Sequence, residues 1–187
     1  MSTIARLIIL LLGLFFFVSY IDLPHGPYFP RKPDYFPVLP RELEQNLTET
    51  GIQLGKELFF DSLLSRDFSL SCASCHKPEY AFSDSGMAKS VGFNGKIQKR
   101  NTPPLFNLAW STRYFWDGRV ATLEEQALEV ITSHNELNGS WADIICRVKA
   151  NQEYVQLFHE AFPGEAIDSV SISKALAQFQ LTLISKD

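Results

Sequence analysis

The stretch Ser71-Cys-Ala-Ser-Cys-His-Lys-Pro78 contains the spacing C-x-x-C-H, with Cys72, Cys75 and His76 at the fixed positions. This pentapeptide is typical of c-type haem attachment. Two thiols three residues apart on one turn can each add to a vinyl group of the same porphyrin, and the adjacent imidazole then reaches the iron. We therefore predict one covalent haem c in this chain, with His76 as a ligand of the haem iron.

Other uses of two nearby cysteines fit the sequence less well. A zinc site would need a second pair of ligands, and Cys146 with His134 or His159 does not form a closely spaced pair. A thioredoxin-like redox pair would need a βαβ context, which the sequence lacks. Cys146 itself lies in an apolar stretch, and we expect it to be a buried free thiol.

The composition indicates a globular protein and argues against nucleic-acid binding. The 187 residues are 45% hydrophobic and 20% charged, which suits a domain with its own core. The net charge is −4 and no run of Lys or Arg stands out, so we expect no nucleic-acid partner. The 15 Phe residues could line a large flat apolar cofactor.

The first 21 residues predict export from the cytoplasm. An apolar run from Leu7 to Val18 follows the positive charge of Arg6. Its length suits the core of a signal peptide better than a membrane span of about 20 residues. No small-residue cleavage site follows, so residues 1–21 are either a signal peptide or a membrane anchor. We predict a periplasmic domain, with anchoring to the inner membrane as the second option.

Residues 22–47 form a Pro-rich linker in this interpretation. Pro24, Pro27, Pro30 and Pro33 recur every three residues, which is the repeat of a polyproline II helix. We predict a semi-rigid spacer, and a Pro-rich recognition site is the alternative.

Residues 48–187 predict an all-α, cytochrome c-like haem domain with long irregular loops. Leu54, Leu58 and Phe59 indicate an amphipathic helix that ends near Asp61. Residues 77–120 carry few periodic signals and form a long connection of the kind that is usually functional. Four further helices are expected to begin at the capping residues Thr122, Ser140, Asn151 and Ser171.

The second axial position of the iron separates an electron carrier from a catalyst, because a carrier uses two strong protein ligands. Met87 is the only methionine besides the initiator, and it follows His76 more closely than a carrier's methionine ligand usually does. His134 and His159 are the other candidates for the distal side.

Several motifs occur in an order that resembles the bacterial di-haem cytochrome c peroxidases and their relative, the di-haem enzyme that matures tryptophan tryptophylquinone. The resemblance runs from about residue 50 to residue 187. The haem site lies among Leu54-Gly-Lys-Glu-Leu-Phe-Phe-Asp61, Leu64-Ser-Arg-Asp67, Arg100-Asn-Thr-Pro103, Phe115-Trp-Asp-Gly-Arg119 and Leu123-Glu-Glu-Gln-Ala127.

The resemblance implies roles for four further residues. Gln126 and Glu136 match the pair that lines the peroxide side of the N-terminal haem, where the carboxylate relays a proton. Trp116 matches a tryptophan between the two haems, and Asn101 matches a ligand of a calcium ion between the two haem domains.

Two departures from the family pattern matter. No histidine occurs in residues 77–100, where many family members carry one that blocks the peroxide site, so the sequence resembles the constitutively open members. The second C-x-x-C-H domain of the family is missing, which implies a fragment, a truncated product or half of a split pair.

The expected function is therefore an enzyme activity. We expect a cytochrome c peroxidase domain that reduces hydrogen peroxide with electrons from a c-type cytochrome or a second haem domain. The alternative is a mono-haem c-type electron carrier without catalysis.

Overall fold

The computed structural model describes residues 27–40, 47–84 and 86–185. Within these ranges the chain forms helices and no strand, apart from four isolated antiparallel bridges. The all-α fold class is therefore confirmed. The helices are α1 (Glu49–Phe60), α2 (Cys72–Cys75), α3 (Leu123–Thr132), α4 (Trp141–Ala150), α5 (Gln152–Ala161) and α6 (Ser169–Leu181).

Most helix starts lie at the residues that the sequence predicts. The Thr122 hydroxyl accepts from the Glu125 amide, and the Glu125 carboxylate accepts from the Thr122 amide, which forms the expected capping box. Ser140 and Asn151 cap α4 and α5, as predicted. These side chains satisfy backbone donors that have no partner within the helix.

The predicted start of the last helix is wrong by three residues. Asp168 is its cap, and the carboxylate accepts from the amides of Val170 and Ser171. Ser171 instead lies in the first turn and accepts from the Asp168 amide. A carboxylate at this position accepts two donors and is favoured by the positive end of the helix dipole.

Helices α1 and α6 cross closely in the middle of the core. A methyl group on Gly55 would lie 1.9 Å from the backbone oxygen of Ala175, so the two helices touch through their backbones there. Helix α3 packs on α6, and α5 packs on α1. The fully buried side chains around this crossing include Leu54, Leu58, Phe59, Ile172 and Leu176.

The connection over residues 77–120 is irregular, as expected. Apart from residue 85, which is outside the described ranges, it contains three short 3-10 turns, at Pro78–Tyr80, Phe93–Gly95 and Leu108–Trp110. This connection returns to the core at Leu105 and Ala109, which are buried.

The Pro-rich segment contacts the domain over the residues that are described. The Trp110 indole of the domain donates to the Pro37 carbonyl at 3.3 Å. Within the segment itself, the Tyr28 amide donates to the Leu47 carbonyl at 2.8 Å. Leu39 and Leu47 are buried. Residues 27–40 therefore do not form the extended spacer that we expected, because apolar side chains hold them on the domain. The division of the chain at residues 21 and 47 stays a prediction.

Two further expectations concern the surface and the N-terminus. Cys146 is exposed and not buried as predicted, because α4 turns Ile144 and Val148 toward the core and Cys146 away from it. Residues 1–21, with the predicted signal or anchor, lie outside the described residues. Among the residues that are described, no helix has the length and apolar character to cross a membrane.

Candidate functional site

The C-x-x-C-H residues lie along one cavity of about 880 Å³. Helix α2 is a single turn, and its capping box is formed by Ser71 and Ser74. One turn places Cys72, Cys75 and His76 on the wall of this same cavity. The volume is in the upper part of the range for cofactor sites, about 300–1,000 Å³.

The His76 imidazole is oriented by a backbone carbonyl. Its Nδ1 lies 2.8 Å from the Phe82 carbonyl oxygen, so Nδ1 carries the proton and donates to that oxygen. The other ring nitrogen is then left as the metal-binding atom. Burial lowers the pKa of His76, which keeps the ring in the neutral form that a ligand requires.

Burial also raises the pKa of the two thiols in the motif. It raises the pKa of Cys72 to about 12, and it raises the pKa of Cys75 together with the charges of Glu136 and Asp84. Neutral thiols of this kind are poor nucleophiles for disulfide exchange, which argues against a thioredoxin-like pair. In the described part of the chain, no group of three His, Cys, Asp or Glu side chains could hold a metal ion, so the zinc alternative gains no support.

A second wall of the cavity comes from α3. Leu123, Gln126, Ala127 and Val130 line the cavity at spacings of i, i+3, i+4 and i+7, which is one face of a helix. Glu136 reaches the same cavity from the loop after α3. The structure thus brings Gln126 and Glu136 to the cavity that holds the C-x-x-C-H residues.

The Glu136 carboxyl is held partly out of water. Burial raises its pKa, while a hydrogen bond with Ser133 and the charge of Arg119 oppose this change. A rise in its pKa makes a carboxylate a stronger base, which favours its use in proton transfer.

Trp116 and Asn101 meet at the edge of the cavity. The Trp116 indole donates to the Asn101 backbone oxygen at 2.9 Å, and the Trp116 side chain is 55% exposed. Asn101 is exposed as well. Both residues therefore lie where a neighbouring domain could cover them.

The other candidates for a distal ligand do not reach the cavity. Met87 is exposed and is not part of the cavity wall. His134 is exposed and pairs through Nδ1 with the Asn138 side-chain oxygen at 2.7 Å, and His159 is exposed on α5. Among the described residues, His76 is the only His or Met that lines this cavity.

Sequence reasoning missed several residues of the site. The missed residues Lys99 and Arg113 line the cavity beside Arg100 and Arg119, which belong to two of the motifs quoted above. Arg119 also pairs with Asp117 and Glu129. Behind the cavity wall, buried Asp84 holds two wall residues by accepting from the Ser90 hydroxyl and from the Thr102 amide. Single residues in a loop of this composition carry no spacing signal, so only their spatial position reveals them.

The residues of the cavity fit a haem. Two thiols and a neutral imidazole are present for attachment and ligation, and cations are available for carboxylate groups such as propionates. The remaining wall offers a large apolar surface, which includes Phe59, Leu70, Leu105, Leu108, Ile131 and Leu176.

Comparisons with known proteins agree with this fit. The family model described as di-haem cytochrome c peroxidase matches residues 49–187. The methylamine utilization protein MauG of Methylorubrum extorquens is 45% identical over 148 residues, which cover 79% of this chain and 42% of that protein. Cytochrome c551 peroxidase of Pseudomonas aeruginosa is 34% identical over 145 residues, which cover 76% of this chain and 42% of that protein.

A solved structure shares the fold. A MauG-like protein associated with microbial copper homeostasis is similar with a TM-score of 0.78 and 33% identity. The match covers 86% of this chain and 48% of that one. The chain thus spans less than half the length of the relatives that it matches.

Proposed function

The chain belongs to the di-haem cytochrome c peroxidase family, and from this membership we propose that it is the peroxide-reducing N-terminal haem domain of such an enzyme. Family membership implies haem as the cofactor. The observation that carries the proposal is that His76, Gln126 and Glu136 line one cavity, whose described wall contains no second His and no Met. An iron held there by His76 alone on the protein side would leave one axial position to substrate.

Attachment is the first step that the chain's own residues explain. Cys72 and Cys75 would form the two thioethers, and His76 would bind the iron through the nitrogen opposite the one that donates to Phe82. The bound haem would supply the redox chemistry of the reaction.

Proton transfer is the second step. Hydrogen peroxide must lose a proton from one oxygen and gain it on the other before the O–O bond breaks and water leaves. The Glu136 carboxylate would carry this proton, because its raised pKa allows both uptake and release. The Gln126 amide would orient peroxide by hydrogen bonding.

Electrons would enter from outside this chain. Trp116 and Asn101 are joined by a hydrogen bond at the exposed edge of the cavity. Trp116 would assist electron transfer from a second haem domain, and Asn101 would help to hold a calcium ion at that interface. The donor would be a c-type cytochrome or the second haem domain. Export to the periplasm fits c-type haem attachment and stays a prediction, as does membrane association through residues 1–21.

The spectrum of the ferric protein separates this proposal from a mono-haem electron carrier. We expect the haem-loaded chain to be largely high-spin, with water or no ligand in the sixth position, and to bind cyanide without prior reduction. Met87→Ala and His134→Ala should leave the spectrum unchanged, because neither side chain lines the cavity. A low-spin spectrum that disappears in Met87→Ala would instead identify an electron carrier.

A further inference from the structure

Residues 91–98 form a closed turn beside the haem-attachment helix, which we call the clamp turn. Val91 and Ile97 form an antiparallel bridge, and the Gly92 amide donates to the Lys96 carbonyl at 2.8 Å. The Cys75 sulfur lies 3.7 Å from the Val91 carbonyl oxygen. The clamp turn therefore begins next to the residue that would bind the porphyrin.

The base of the clamp turn is fixed by a buried polar cluster. The Ser90 hydroxyl lies 2.5 Å from the Asp84 carboxylate and 2.6 Å from the Thr102 hydroxyl. The Thr102 amide also donates to Asp84, at 3.1 Å. All three residues are buried, and Ser90 directly precedes the clamp turn. Both hydrogen bonds to Asp84 reach the same carboxylate oxygen, Oδ2, while its Oδ1 is buried without a partner among the described residues. The three hydrogen bonds link residues 84, 90 and 102 and so restrict movement of the backbone that they join.

The clamp turn contacts three successive carbonyl groups of the segment that carries Glu136. Lys96 Nζ lies 3.2 Å from the His134 oxygen, and the Phe93 amide donates to the Glu136 oxygen at 3.1 Å. Between them, the Gln98 side-chain amide donates to the Asn135 oxygen. The Leu137 oxygen is held separately, by the Arg66 amide. Within the described part of the chain, the clamp turn thus supplies the hydrogen-bond donors to the three backbone oxygens of residues 134–136.

Gly92 allows this close approach. A methyl group at Gly92 would lie 1.8 Å from the Asn135 backbone oxygen, whereas an ordinary contact begins near 3.4 Å. The two backbones would have to separate by about 1.6 Å to admit it. The φ of Gly92 is −106°, so an alanine there is not strained by its own φ. Its methyl group would act through the Asn135 oxygen and through the Gln98 side-chain nitrogen, which lies 2.7 Å from the added carbon.

From these contacts we propose that the clamp turn sets the position of the Glu136 carboxyl, with Gly92 and Gln98 as positioning residues. The inference rests on the proposed function for the catalytic role of Glu136. A rigid attachment of the Glu136 backbone would hold the carboxyl at one distance from the bound peroxide. Proton transfer is sensitive to such distances, and a displacement of about 1 Å can cost about 10²-fold in rate.

The test uses the haem-loaded full chain with two variants and one control. Gly92→Ala separates the two backbones, and Gln98→Glu replaces the amide donor by a carboxylate of the same shape. Gly164→Ala adds a methyl group in the turn after α5, where nothing lies within 4 Å. Because the φ of Gly164 is +80°, this control introduces backbone strain far along the chain from the clamp turn. The first readout is hydrogen–deuterium exchange of peptides that contain Phe93 and residues 133–138. The second is the rate of the ferric protein with hydrogen peroxide.

We expect faster exchange in both peptides for Gly92→Ala and Gln98→Glu, and no change for Gly164→Ala. The peroxide rate should fall by about 10- to 10²-fold in Gly92→Ala, with the ferric spectrum unchanged. Adding Gly92→Ala to Glu136→Gln should cause no further loss of rate. Unchanged exchange in both variants, an unchanged rate, or losses that add in the double variant would each overturn the proposal. If Glu136→Gln alone leaves the rate unchanged, the proton relay of the proposed function fails. The hydrogen–deuterium exchange of residues 133–138 then decides by itself whether the clamp turn holds that segment.

Discussion

Replacing Glu136 by glutamine removes the carboxylate from the cavity while keeping the shape of the side chain. Glu136 lines the cavity with His76, and its burial raises its pKa. Because glutamine cannot carry the proton between the two oxygens of peroxide, the reaction should lose the contribution of one positioned acid–base group. That contribution is about 10²-fold in rate or more, which is about 2.7 kcal/mol in the activation barrier.

The pH dependence gives a second, independent expectation. The reactive form of Glu136 is the carboxylate, so the rate should fall as the pH decreases through the pKa of this group. Burial raises that pKa, with Ser133 and Arg119 opposing the rise, and the acid limb should therefore be displaced upward from the ordinary pKa of a glutamate. In Glu136→Gln this limb should disappear.

The assay is stopped-flow mixing of the ferric haem-loaded chain with hydrogen peroxide across a pH series. Glu160→Gln, on α5 and outside the cavity, is the matched control and should keep both the rate and the acid limb. Cyanide affinity should be nearly the same in the unchanged chain, in Glu136→Gln and in Glu160→Gln, since Glu136 is not expected to bind the iron. A peroxide reaction that ignores Glu136→Gln at every pH would refute the proton relay and leave the haem assignment standing.

Two other expectations follow from the fold and from the family. Alone, this chain should oxidise reduced cytochrome c poorly, because Asn101 and Trp116 lie exposed at the cavity edge. Turnover should appear when a second haem domain is supplied. A fully active isolated chain would contradict this expectation. Gly55→Ala should lower the free energy of unfolding by about 1–3 kcal/mol in urea titrations, because the methyl group meets the Ala175 backbone oxygen across the α1–α6 crossing. The neighbouring exposed Lys56→Ala should change it by less than about 0.5 kcal/mol, and equal effects would contradict the crossing geometry.

Local patterns in the sequence predict the helices well, because helix starts depend on nearby side chains. The capping box of Thr122 and Glu125 lies within four consecutive residues and is visible without a structure. Nearby side chains also predict Ser171 as a helix cap, but the Asp168 carboxylate three residues earlier is the stronger hydrogen-bond acceptor and caps the helix. The exposure of Cys146 could not be predicted from its apolar neighbours alone, because it depends on which face of α4 packs on the core.

The site is only partly visible in the sequence. The C-x-x-C-H motif identifies His76, but the carbonyl that orients its ring belongs to Phe82. The φ of Phe82 is +55°, a conformation that the residue type does not predict. The clamp turn is still less predictable. Gln98 and Asn135 are 37 residues apart, and the acceptor is a backbone oxygen that every residue possesses. Such contacts follow from the tertiary fold and carry no spacing signal.

We expect Cys72, Cys75 and His76 to hold a haem in the cavity that Glu136 lines. The mass of the denatured protein is the decisive test of this covalent attachment. The exported chain should carry the added mass of one haem under denaturing conditions and keep haem colour through denaturing electrophoresis. The double variant Cys72→Ala/Cys75→Ala should lose both, because no thioether can form. Haem that stays covalently bound to the double variant would contradict the account.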